Sequence, residues 1–66
     1  MQAREQEQLY AATRLRHPTW TGAKCSGYVH GANDSTIRKE PLPSYLDQDG
    51  DYAVGYMQGW TDHHED

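Results

Sequence analysis

The chain contains a single cysteine, no phenylalanine and three prolines among its 66 residues. One cysteine cannot form an internal disulfide, so the chain lacks the bonds that stabilise many small secreted domains. The opening residues, MQAREQEQ, are polar and offer no apolar stretch for a signal peptide, and no segment has the composition of a membrane span. We therefore expect a cytoplasmic protein without a membrane partner.

Large apolar side chains are also scarce, and a chain of this length forms one domain at most, spanning residues 1–66. Such a domain buries only about 60% of the surface of its unfolded chain. We expect a core built mostly from tryptophan and tyrosine, and formation of a homodimer would relieve the shortage. Cys25, His30 and Asp34 supply the residue types of nucleophilic catalysis. A chain this small can hardly enclose the necessary water-excluding cleft, so we expect no enzyme.

Positive charge is missing from the C-terminal third. Residues 1–46 carry six Lys and Arg against four acids, whereas residues 47–66 carry six acids and no Lys or Arg. An acidic end disfavours direct DNA binding and fits a larger protein or ribonucleoprotein with a basic surface. A solvated, solubilising end is the alternative. The residues predicted to form the partner-binding surface are Asp49, Asp51, Tyr52, Tyr56, Asp62, Glu65 and Asp66.

The pattern of residue types predicts two clear helices. Residues 2–16 lack Gly and Pro and place Leu9, Ala12 and Leu15 at intervals of three, and Pro18 should end this helix. Residues 51–64 form the second, which has two glycines on its flank and shares one face among Tyr52, Ala53, Tyr56, Met57 and Trp60. Glycines within a helix cost about 1 kcal/mol each against alanine, so we expect another backbone to approach them closely.

The segment between these helices is less clearly defined. Residues 17–26 are expected to form a loop or a short helical turn around Trp20, and residues 27–32 fit either a helix or a strand. Residues 33–36, Asn-Asp-Ser-Thr, have turn and cap chemistry and could start a short helix through residues 37–39. Pro41 and Pro43 indicate an extended link.

A short pattern, GYxxG, occurs twice, at residues 27–31 and 55–59, and an aspartate follows each copy three residues later. If the repeat is structural, two helices present matching glycine edges and tyrosine faces to each other. The first copy, a proline and a later aromatic-x-x-Gly-Trp segment resemble ribosome modulation factor. This resemblance implies a small helical protein that binds the ribosome, although that family is basic and this chain is acidic. The matching residues are Gly27, Tyr28, Gly31, Pro41, Tyr56, Gly59 and Trp60.

A small basic and aromatic group lies around the end of the first predicted helix, where Arg14, Arg16, His17 and Lys24 occur beside Trp20. Such side chains can stack on bases and meet phosphates, although half of any such group is ordinary chemistry of a helix C-terminus. The residues predicted to contact a ribonucleoprotein are Arg14, Arg16, Trp20, Lys24 and Tyr28.

The spacing of possible ligands suggests two metal sites. Asp47, Asp49 and Asp51 match the start of a calcium loop, but Tyr52 replaces the required glycine and Gln58 replaces the bidentate glutamate. An acidic helix N-terminus is the alternative. Cys25, His30, His63 and His64 match no compact zinc module. We expect no metal and no cofactor.

These observations predict a mainly α mini-domain, with a short hairpin in the middle (an α+β fold) as the alternative. The predicted function is that of a small regulatory protein, host- or phage-encoded, that binds and modulates or inhibits a larger machine through its acidic C-terminal surface. A ribosome-associated hibernation-type factor and a calcium-binding module formed by residues 47–58 are the alternatives.

Overall fold

Helices make up the fold. The computed structural model describes residues 3–41, 43–46 and 50–64. The helices are α1 (Ala3–Arg16), α2 (Gly22–Ile37), α3 (Pro43–Leu46) and α4 (Gly50–His63). The mainly helical prediction is confirmed. The alternative of a hairpin in the middle is not supported, because residues 22–37 form one continuous helix.

Helix α2 is longer than the sequence predicted. The expected loop ends at Thr21, whose hydroxyl caps the helix by accepting a hydrogen bond from the backbone N–H of Lys24 at 3.2 Å. The predicted turn at residues 33–36 is wrong. The hydroxyls of Ser35 and Thr36 instead donate to carbonyl oxygens three residues earlier, at 2.7 Å, within the helix.

Helices α2 and α4 run parallel, with their backbones in direct contact. Gly27 lies against the backbone of Tyr52, and Gly31, one turn later, lies against that of Tyr56. A Cβ added at Gly31 would stand 2.8 Å from the backbone nitrogen of Trp60, where no side chain fits. These glycines therefore set the distance between the helices, as small residues do in other close helix pairs.

The contacts made by α4 repeat those made by α2. Gly55 lies against the carbonyl of Lys24, and Gly59 against that of Tyr28. Residues 22–35 of α2 thus correspond to the residues 28 positions later, 50–63, which form α4, and exchanging the helices reproduces these contacts. The predicted close approach at the two glycines of α4 is confirmed, and both copies of GYxxG take part in it.

Two crossed hydrogen bonds complete this internal symmetry. The Tyr56 hydroxyl donates to the Asp34 carboxylate at 2.6 Å, and the Tyr28 hydroxyl donates to the Asp62 carboxylate at 2.9 Å. The tyrosine of each copy therefore pairs with the aspartate of the other. The prediction that the repeat forms a compact helical pair is confirmed.

Helix α1 packs on the outer face of α2. Thr13 is buried, and Leu9 and Tyr10 are half-buried. The predicted stripe of Leu9, Ala12 and Leu15 is wrong, because Ala12 is exposed and Leu15 is 83% exposed. The contact face of α1 instead follows the spacing of residues 6, 9, 10 and 13, which combines polar side chains with Leu9 and Tyr10.

Candidate functional site

The side chain of Trp20 lies at the centre of a cationic and aromatic cluster. A turn from His17 to Trp20, closed by a backbone hydrogen bond of 3.0 Å, follows α1. It stacks the His17 ring on the indole, with 3.8 Å between the ring centroids and 9° between the planes. The Lys24 ammonium lies over the same side chain, 4.3 Å from the ring centroid.

The remaining predicted ribonucleoprotein contacts surround this stack. Arg14 donates to the Trp20 carbonyl oxygen at 3.4 Å, and the Tyr28 ring lies 5.8 Å from the Trp20 ring. Arg16 is exposed and close enough to Tyr28 to affect its ionisation. The structure thus brings together all five residues that the sequence proposed for this contact. We call these five residues and His17 the Trp20 cluster.

Tyr28 connects the Trp20 cluster to the end of α4. Its hydroxyl donates to Asp62 and lies 3.4 Å from the Nε2 of His63. Burial, the hydrogen bond to Asp62 and the negative charge of that carboxylate raise the pKa of Tyr28 to about 12. The phenol is therefore neutral at physiological pH. Because Tyr28 is only 5% exposed, it supports the cluster from beneath rather than offering a surface of its own.

The predicted acidic surface is only partly described. Asp51 and Asp62 are both exposed, and both accept hydrogen bonds within the domain, Asp51 from Thr21 at 3.0 Å and Asp62 from Tyr28. Asp49, Glu65 and Asp66 lie outside the described residues. Tyr52 is half-buried and its hydroxyl contacts His30.

The placement of Tyr56 on the partner-binding surface needs correction. Its side chain is 0% exposed, and its hydroxyl is bonded to Asp34. A buried ring cannot contact a partner, so Tyr56 is a core residue. Tyr56 lies on the side of α4 that faces α2, and the neighbouring Gly55 and Gly59 let that helix approach closely.

The metal hypotheses gain no geometric support. Within the described residues, no group of three His, Cys, Asp or Glu side chains could hold a metal ion. Asp47 and Asp49 lie outside that part of the chain. From Gly50 onward the supposed calcium loop is helical, so the carbonyl at its seventh position, Ala53, lies inside a helix. Cys25 is a free, fully buried thiol that packs in the core.

The cluster belongs to a small all-helical domain built on a parallel, glycine-packed helix pair. No family model, curated protein or solved structure matches the chain. No helix in the described ranges is both long enough and apolar enough to cross a membrane.

Sequence reasoning missed two features of the site. It placed His17 in the basic group but not among the contact residues, whereas the turn after α1 stacks this ring on Trp20. It placed His63 in a solvated tail, but this ring packs edge-on against Tyr28, with 5.7 Å between centroids. The hint for His17 was the adjacent Pro18, which favours a turn. His63 is brought to the cluster by the parallel pairing of the helices.

Proposed function

We propose that this protein is a small binding protein without catalytic activity that contacts RNA on a ribonucleoprotein through the Trp20 cluster. The observation that carries the proposal is the stack of His17, Trp20 and Lys24 with two arginines beside it. Flat rings with nearby cations are how proteins hold unpaired bases and their phosphates. The half-buried His17 ring offers the next place in the stack to a base.

The charges of the Trp20 cluster fit this role. Arg14 and Arg16 are exposed, and Lys24 is half-buried with its ammonium held over an aromatic ring. Three cations give modest electrostatic affinity, which suits a site that recognises one exposed RNA segment on a larger assembly. The resemblance of the GYxxG segments to ribosome modulation factor makes the ribosome the first assembly to test.

The test is co-sedimentation with ribosomes and titration of a labelled single-stranded RNA at about 50 and about 200 mM salt. The double variant Arg14→Gln/Lys24→Gln removes two cations from the cluster. The matched control, Arg4→Gln/Lys39→Gln, removes one arginine and one lysine that are exposed elsewhere.

The cluster variant should bind both targets more weakly and should flatten the salt dependence by about 1.4 in log–log slope, as expected for two lost phosphate contacts to a single strand. The control should behave like the unmodified protein. Absence of binding to ribosomes and to RNA at the lower salt would refute the proposal.

A second candidate function is the binding of a basic protein surface by the acidic C-terminal third. The observation that favours it is the uneven distribution of charge, with six acids and no Lys or Arg after residue 46. Changing Asp51 and Asp62 to asparagine keeps an acceptor for each internal hydrogen bond while removing both charges. Binding to such a partner should then weaken and lose salt dependence.

A further inference from the structure

Helix α4 carries an uncovered apolar face. Val54 is 54% exposed and Met57 is 39% exposed, and these side chains are neighbours because they lie about one turn apart. Together with Ala53, Gln58 and Thr61 they line an open groove of about 470 Å³. Surface methionines suit such a site because their flexible side chains adapt to an incoming partner. We call this the α4 groove.

The internal repeat provides a face of α2 with which the α4 groove can be compared. The α2 residues that correspond to Val54, Met57 and Gln58 are Ser26, Val29 and His30. Together with Gln6, Glu7 and Tyr10 of α1, these three residues line a groove of about 360 Å³ between the two helices.

The two equivalent faces therefore differ in what covers them. On α2, Val29 is only 4% exposed because α1 packs over it. Its equivalent on α4, Met57, is about ten times more exposed. The α4 face is also the more apolar of the two, since Val54 stands where α2 has Ser26. Helix α1 therefore covers Val29 on α2, whereas Met57, the equivalent residue on α4, is left open.

Helix α3 precedes α4 but is too short to take the place of α1. It has four residues, against 14 in α1, which correspond to lengths of about 6 and about 21 Å. It packs against α4 and still leaves Val54 and Met57 exposed.

The charges beside the α4 groove determine what kind of helix could cover it. Asp51 lies one turn before Val54, and Asp62 directly follows Thr61; both carboxylates are exposed. No Lys or Arg occurs anywhere in residues 47–66. Two copies of the chain joined through this face would bring like charges together, which is unfavourable, whereas a basic helix would be attracted.

We propose that the α4 groove binds a basic amphipathic helix of a partner protein, docked on α4 as α1 docks on α2. The apolar side of that helix covers Val54 and Met57, and its cations meet Asp51 and Asp62. This is the helix-in-groove mode of recognition. The inference rests on the second candidate function and gives it a location.

The test uses the full chain and a fluorescein-labelled peptide, about as long as α1, with leucines on one helical face and lysines beside them. A scrambled peptide of the same composition lacks the apolar face. Binding is measured by fluorescence anisotropy with the unmodified protein, Val54→Ser/Met57→Ser, Asp51→Asn/Asp62→Asn and the control Leu15→Ser/Ile37→Ser. The control removes two large side chains that are exposed outside the groove, and circular dichroism checks that all variants are folded.

We expect the amphipathic peptide to bind the unmodified protein. Val54→Ser/Met57→Ser should bind it roughly tenfold or more weakly. The control should bind as the unmodified protein does, and the scrambled peptide should bind at least about tenfold more weakly. Amide shifts in the NMR spectrum should concentrate at residues 53–61.

Three other results would overturn it in distinguishable ways. If both peptides bind equally and only the asparagine variant weakens them, the acidic surface functions without the groove. If neither peptide binds at low salt, the groove and the second candidate function both fail. If sedimentation shows a dimer that Met57→Ser dissociates, the occupant is a second copy of this chain.

Discussion

Substitution of Gly31 by alanine tests the central feature of the fold, the direct contact between the backbones of α2 and α4. A Cβ at this position would lie 2.8 Å from the nitrogen of Trp60 and even closer to the carbonyl oxygen of Tyr56. Backbone atoms within a helix cannot rotate away as a side chain can. The two helices must therefore separate by about 1 Å, and a gap of that size forfeits a quarter to a half of the dispersion energy at each contact.

The loss should be large compared with the stability of the domain. Overpacking of a core costs about 1–3 kcal/mol, occasionally more, and here separation also stretches the two tyrosine–aspartate hydrogen bonds. The helix propensity of alanine returns about 0.5–1 kcal/mol. We expect a net loss of about 2–3 kcal/mol, out of about 3–10 kcal/mol for a 66-residue domain.

Gly50→Ala provides the matched control, because a Cβ added at Gly50 meets no atom within 4 Å. Urea and thermal unfolding followed by circular dichroism measure both variants. The melting temperature should fall by about 8–24 °C for Gly31→Ala, whereas Gly50→Ala should be neutral or slightly stabilising. If Gly31→Ala were as stable as Gly50→Ala, helix propensity alone would explain the effect of the substitution. The close parallel packing of α2 and α4 would then be refuted.

Three further predictions concern single side chains. Tyr56→Phe should destabilise the domain by about 1–3 kcal/mol in urea unfolding, because the buried Asp34 carboxylate loses the phenol donor and is left with the Arg38 guanidinium at 3.8 Å; no change would mean that this hydrogen bond contributes nothing. Tyr28 holds its proton to about pH 12 when folded but to about pH 10 when unfolded, so stability should fall as the pH rises between those values, by at most about 3 kcal/mol. Tyr28→Phe should show a shallower fall over that range, and an identical fall in both proteins would contradict the assignment. Leu15→Ser should change stability by less than about 0.5 kcal/mol, because the side chain is solvated; a larger loss would indicate that Leu15 is covered.

The sequence was most informative where the packing requires one particular residue type. Glycine inside a helix is costly, so Gly55 and Gly59 indicated a close neighbour, and the other GYxxG copy, at residues 27–31, identified that neighbour. The sequence was least informative where tertiary contacts override local preference. Ser35 and Thr36 have the chemistry of a turn, yet they lie in α2 because its buried face packs against both α1 and α4.

The Trp20 cluster illustrates an intermediate case. Its members were named from their types alone, but nothing in the sequence fixed the stack on Trp20, which depends on the turn between α1 and α2. Helical periodicity alone could not predict whether Tyr56 is buried or exposed, because it places Tyr56 on the same face of α4 as Tyr52, which is only half-buried. Only the register of the two helices, set by the glycines, decides which tyrosine lies inside.

The internal symmetry also explains how so small a domain can offer two different surfaces. The parallel pair of α2 and α4 uses the same residues twice, so its interior is fixed by Gly, Tyr and Asp at equivalent positions. Positions outside that set are free to differ, and they do. The half containing α1 and α2 carries the cations of the Trp20 cluster and has its outer face covered by α1. The half containing α4 carries acids and leaves the equivalent face open. The repeat thus provides stability with few apolar residues, and the departures from the repeat are where binding to other molecules is to be sought.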